Sequence, residues 1–111
     1  MKNKIILVNS NQLGKGDEAL GEMLLETYFT LLKQREGKPV AIFLLNSGVQ
    51  IATDESLVSV HLKELSDAGV EVLACTTCLN HYHLLEKLTV GSASTMGKLL
   101  DLAEKYEVIT L

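Results

Sequence analysis

Apolar positions along the chain fall into two alternating patterns. Short apolar runs come first: Ile5–Val8 and Val40–Leu45 are continuous and Val70–Ala74 is broken only by Glu71, with Glu107–Leu111 closing the sequence and a brief Thr89–Val90 before it. Runs of four to six apolar, β-branched-rich residues bounded by polar ones predict strands covered on both faces. Between them the apolar residues recur every three or four positions, as on one face of a helix. Asp17 predicts an N-cap, and Leu20, Leu24, Tyr28, Leu31 and Leu32 predict the buried stripe of the helix it opens. Gly37 and Pro39 are expected to end that helix, glycine by a left-handed cap and proline by blocking continuation. Leu57, Val58, Leu62 and Leu65 predict a second stripe, stopped by Gly69. A short helix is predicted over His81–Lys87. After a turn at Gly91-Ser92, a last helix is predicted to be buried through Met96, Leu99, Leu100 and Ala103.

Strand and helix in strict alternation specify an α/β fold with a mainly parallel sheet of about five strands, joined by right-handed crossovers and covered by helices on both faces. Ligands in such sheets collect outside the carboxyl ends of the strands. Three loops rich in small polar residues are predicted to meet there: Asn9–Asp17, Asn46–Ala52 and Cys75–Asn80. The loops around Lys38 and Gly69, at the opposite end, are short.

Composition narrows the function classes. The 111 residues are 47% hydrophobic, with one proline, and carry no linker, repeat or low-complexity tract, so a single domain over 1–111 is expected. A chain of this length buries roughly 65% of its extended surface without disulfides or metal. The net charge of −4 argues against a general nucleic-acid binder. No apolar run approaches the roughly 18 residues that span a bilayer. The opening apolar run is too short for a signal-peptide core, so a cytoplasmic protein with reduced cysteines is expected.

Cys75-Thr76-Thr77-Cys78 is the sharpest chemical feature, and these are the only cysteines. A thiol at the mouth of a strand, entering a helix, is expected to be held as thiolate by the positive helix start. The plainer reading of Cys75, abutting the strand, is a small buried apolar residue. Structural zinc requires four ligands, and His81 and His83, two apart on a helix, point to different sides. Haem attachment requires histidine directly after the second cysteine, where Leu79 stands. A thioredoxin-type dithiol lacks its cis-proline, since Pro39 is the only proline. Thiol-based sulfur carriage fits the pair best.

Other candidates are weaker. Gly14-Lys15-Gly16-Asp17-Glu18 sits where an anion cradle would, but it lacks the phosphate-binding patterns and its carboxylates repel a phosphate. An ordinary turn with an N-cap accounts for it. The candidates for lining a crevice beside Cys75 and Cys78 are Asn9, Asn11, Gly14, Gly16, Asn46, Ser47, Gly48, Thr76 and Thr77, with turn formation as the alternative account of the asparagines. His61 reads as a partly packed structural residue. His81 is placed to assist Cys78, or faces solvent.

Taken together, Leu7-Val8-Asn9-Ser10, Leu13-Gly14-x-Gly16-Asp17-Glu18, Gly21, Phe43–Val49, Cys75-x-x-Cys78-Leu79, Val90-Gly91 and Val108–Leu111 resemble the DsrE/DsrF-like superfamily over nearly the whole chain. Within it they look most like the C-terminal domain of YedF-type, sulfurtransferase-like proteins associated with selenium metabolism. The resemblance implies a three-layer α/β/α sandwich, assembled into homo-oligomers (dimers, trimers or hexamers). It also implies a sulfur relay in which the cysteine ending a central strand, here Cys75, carries a persulfide, with Cys78 added in the YedF-like group. No cofactor is implied. Glycine is usual in that group where Thr76 stands and common near His83, so the loop is expected to differ in shape. The full-length group carries a TusA-like domain ahead of this one, and a separate TusA-like protein is therefore expected among the sulfur donors and acceptors. The expected function is a sulfurtransferase-like persulfide carrier, for which selenium is chemically equivalent. The competing expectation is a non-catalytic ligand- or protein-binding module, indifferent to loss of either cysteine.

Overall fold

The computed structural model describes residues 1–111. Its elements run β1 (Lys4–Val8), α1 (Glu18–Leu32), β2 (Ala41–Leu44), a 3₁₀ segment (Asn46–Ala52), α2 (Val58–Asp67), β3 (Glu71–Cys75), α3 (Thr76–His81), a 3₁₀ turn (Leu85–Lys87), β4 (Ser92–Ser94), α4 (Met96–Lys105) and β5 (Glu107–Thr110). The five strands form one sheet in the order β4-β3-β2-β1-β5, and every pairing is parallel. From β1 to β4 the chain steps across the sheet in one direction, and α4 carries it back to β5. Right-handed crossovers therefore place α1, α2 and α3 on one face and α4 on the other, giving three layers. No helix is long and apolar enough to cross a membrane.

The core lies where the apolar runs predict it. Ile5, Ile6, Val8, Ala41, Ile42, Phe43 and Leu44 are fully buried, because β1 and β2 are interior strands. Asp17 caps α1 as expected, its carboxylate accepting from the Leu20 amide at 2.9 Å. Gly69 stops α2 at φ +101. His83 stands at φ 59, a backbone region that glycine favours.

Several local expectations are corrected. The buried face of α1 is Gly21, Leu25, Phe29 and Leu32, whereas Leu20, Leu24 and Leu31 are exposed and Tyr28 is half-buried. The helix is apolar on two sides, and the stripe holding the bulky Phe29 and the close-packed Gly21 is the one turned inward. Gly37 adopts no left-handed conformation, because α1 ends earlier, at Leu32. The helix expected over His81–Lys87 starts instead at Thr76 and ends at His81. The strand expected at Thr89–Val90 forms at Ser92–Ser94, where it pairs with β3. In α4 the buried residues are Leu99 and Leu102, while Met96, Leu100 and Ala103 face solvent.

Candidate functional site

Parallel pairing brings the carboxyl ends of the strands to one rim. In register, Val8, Leu44 and Ala74 stand side by side, so Asn9, Leu45 and Cys75 come one residue further along. Cys75 is the last residue of β3 and the N-cap of α3, and only 6% of it is exposed. Its sulfur accepts the Cys78 amide at 3.4 Å. Cys78 lies in the first turn of α3 and is half-buried. Its sulfur accepts the main-chain N–H of Asn46 at 3.1 Å, a donor brought from the end of β2. Both thiols are free.

The Cys78 sulfur opens onto a shallow cleft of about 290 Å³ lined by Asn46, Thr77, Cys78, His81 and Tyr82. Asn46 takes the left-handed conformation at φ 50. Its Oδ1 accepts the Tyr82 hydroxyl at 2.9 Å, and the Tyr82 ring meets the His81 ring edge-on at 4.9 Å between centroids. Tyr82 was missed by sequence reasoning. The available signal was its spacing of four from Cys78, which on a helix puts both on one side.

The other sequence candidates divide. Asn46 and Thr77 line the cleft beside Cys78, and His81 joins them. Thr76 does not, since its hydroxyl donates to the Ser94 carbonyl at 2.8 Å and ties α3 to the edge strand. Gly48 is buried where an added Cβ would come within 2.3 Å of the Val8 carbonyl oxygen, a packing position. Ser47 accepts the Asn11 amide through its hydroxyl at 3.3 Å, and Asn11 donates through Nδ2 to Gln50 at 2.9 Å. Asn11 thereby lines a different hollow, between α1 and Glu55–Val58. Gly14 and Gly16 hold left-handed turns in solvent, at φ +80 and +141, and neither they nor Asn9 line the thiol cleft. His61 is packed between α1 and α2, with Nε2 at 3.2 Å from Thr30 Oγ1 and 3.4 Å from Glu26. No three His, Cys, Asp or Glu side chains group to hold a metal.

The expectation of an acidified thiol is overturned at Cys78. Burial pushes its thiol above the ordinary range, and the Cys75 sulfur adds to this as hydrogen-bond partner and as a like charge. The Asn46 amide acts in the opposite direction and is outweighed. Burial is the main cause, and the short helix does not offset it. At six residues α3 has a small dipole, and Cys75 takes up the Cys78 amide at its start.

A family model for DsrE/DsrF-like proteins matches residues 2–111. Among solved structures, the chain is similar to the ychN protein from E. coli, at 19% identity and a TM-score of 0.74, over 100% of both chains. It is also similar to MTH1491 from Methanobacterium thermoautotrophicum, a protein of unknown function, at 19% identity and 0.69 over 97% of each chain. BT1422 from Bacteroides thetaiotaomicron, likewise of unknown function, aligns at 16% identity and 0.68, over 98% of this chain and 95% of that one. At these identities the likeness is one of fold. No curated protein matches the chain.

Proposed function

The chain belongs to the DsrE/DsrF-like family, and from that premise we propose that it is a sulfurtransferase-like carrier that holds sulfane sulfur as a cysteine persulfide. The supporting observation is a pair of adjoining free thiols at the end of β3, of which Cys78 alone opens onto a cleft. Because Cys75 is nearly sealed, the donor meets Cys78. The Cys78 thiolate attacks the outer sulfur of a donor persulfide. A bond forms between Sγ and that sulfur, the donor's S–S bond breaks, and its electron pair leaves on the donor thiolate.

Two outcomes follow for the carried sulfur. An acceptor thiolate attacks the outer sulfur and takes it, returning the electron pair to Cys78 Sγ. Alternatively the Cys75 thiolate attacks Sγ itself, forming the Cys75–Cys78 disulfide and expelling hydrosulfide, after which an external dithiol must reduce the disulfide before another turn. Selenium in a donor selenosulfide follows the same course. The donor and acceptor are proteins, a TusA-like protein among them. The experiment is persulfide loading of the Cys75→Ser protein, in which the second route is closed and the loaded state accumulates on Cys78. A chain that takes up no sulfur on either cysteine refutes the carrier reading.

The apolar residues that α1 leaves uncovered, Leu20, Met23, Leu24 and Leu31, favour a second reading as an interaction module. That reading requires Cys78→Ser to leave the cellular role intact.

A further inference from the structure

The bonds around Cys78 place one polar group against its sulfur from outside its own helix. The turn after β2 carries the amides of Leu45, Asn46, Ser47 and Gly48. The Leu45 N–H donates to the Val8 carbonyl at 2.8 Å, extending the sheet, and the Gly48 N–H closes the turn onto the Leu45 carbonyl at 2.8 Å. The Asn46 N–H lies between them and goes to Cys78 Sγ at 3.1 Å. Asn46 itself stands in the left-handed conformation, at φ 50, which a residue with a Cβ adopts only at some cost in energy. Something must hold it there. The Asn46 side chain accepts the Tyr82 hydroxyl at 2.9 Å, and Tyr82 follows the end of the same short helix that carries Cys78. The loop thus has two attachments to that helix, one at the sulfur and one a turn later.

We infer that Asn46 stabilises the sulfur anion at Cys78 through its main-chain N–H, and that Tyr82 is the positioning residue that holds this donor in place. The inference rests on the carrier reading for its functional meaning. In that reaction Cys78 Sγ carries negative charge twice, once as the attacking thiolate and once as the leaving group when the acceptor takes the outer sulfur. Lowering a thiol's basicity speeds its departure and, through lower intrinsic nucleophilicity, partly offsets the gain in thiolate during attack. The donor therefore favours delivery of sulfur over its capture. A second thiol alone does not supply this, since Cys75 acts on Cys78 as a like charge.

The test uses the Cys75→Ser chain, in which Cys78 is the sole thiol, and reads the pH profile of its alkylation by iodoacetamide. Tyr82→Phe keeps the ring and removes the strut. Asn46→Gly keeps the left-handed turn and the amide but removes the acceptor. Each is expected to raise the alkylation midpoint by roughly half to one pH unit, as loss of a charge-assisted hydrogen bond would. At neutral pH the rate falls only about two- to threefold, because the more basic thiolate is also more nucleophilic. Both substitutions break one bond, so the double variant must shift the midpoint no further than either single one. A structural role alone would lower melting temperature and leave the midpoint where it was. Unchanged midpoints in folded Tyr82→Phe and Asn46→Gly proteins, or additive shifts in the double variant, overturn the inference. Because alkylation needs no sulfur donor, shifted midpoints in a protein that takes up no persulfide uphold the donor assignment and overturn only the carrier reading.

Discussion

Replacing Gly48 with alanine places a methyl carbon 2.3 Å from the Val8 carbonyl oxygen, 3.0 Å from Val8 C and 3.3 Å from Ser10 N. All three are main-chain atoms, two at the end of an interior strand and one just past it, so none can swing aside as a side chain would. Favourable non-bonded contact begins near ~3.5 Å, and the loop must therefore retreat by roughly 1 Å. Overpacking of this kind costs about 1–3 kcal/mol, and rigid neighbours put Gly48→Ala toward the upper end. For a domain of this size that corresponds to a fall of about 10 °C in melting temperature. The retreat also carries the Asn46 amide away from Cys78, so the alkylation midpoint of that thiol should rise along with the loss of stability. Thermal melting by circular dichroism reads the first effect and iodoacetamide kinetics the second. Gly14→Ala is the comparison. Nothing lies within 4 Å of its Cβ, but φ is +80, so backbone strain alone should cost about 1 kcal/mol and leave Cys78 untouched. A Gly48→Ala protein that melts within about 2 °C of the parent would show that the loop is not pinned to β1, and the placement of Asn46 would fall with it.

Two further outcomes are expected. In the native protein iodoacetamide should modify Cys78 well before Cys75, with a midpoint above the ordinary thiol value of about 8.5, because burial and the Cys75 sulfur favour the protonated form. The rate then climbs with pH through the alkaline range, and faster reaction of Cys75, or a midpoint near neutrality, contradicts the assigned burial. The uncovered Leu20, Met23, Leu24 and Leu31 of α1 should drive self-association, read by light scattering, and Met23→Glu with Leu24→Glu should shift the mass toward monomer without changing the melting curve of the monomer itself. A parent chain that is monomeric at high concentration removes that surface from the account.

The strands were legible in the sequence because both faces of the sheet are covered. A strand buried on two sides is apolar nearly throughout, and Val40–Leu45 and Val70–Ala74, the latter broken only by the exposed Glu71, announce themselves whatever their neighbours do. The caps at Asp17 and Gly69 were legible because each acts within a few residues. The inward face of α1 was not, since Leu20, Leu24 and Leu31 compete with Leu25, Phe29 and Leu32, and only the packing partner decides between them. The bounds of α3 were blurred by Thr76 and Thr77, β-branched residues that favour extended backbone, so the helix entered by the thiols was drawn too late along the chain. Their helix is held by the Thr76–Ser94 bond, which no local pattern reveals. β4 reads Ser-Ala-Ser and is a strand only through its pairing with β3.

The site followed the same division. Cys75 and Cys78 are three apart, so their meeting is a local fact that spacing conveys. Asn46 and Tyr82 are 36 residues apart and Asn46 and Cys78 are 32, joined only through the sheet. The thiol's acidity was misjudged because desolvation, a tertiary effect that outweighs what a six-residue helix start offers, was left out.

Intact-mass spectrometry after brief exposure to a low-molecular-weight persulfide tests the central claim most directly. The Cys75→Ser chain should gain the mass of one sulfur atom, with peptide mapping placing it on Cys78, and Cys78→Ser should gain none under the same exposure. Two unmodified masses, in proteins whose melting curves show them folded, would contradict the claim that this thiol pair carries sulfur.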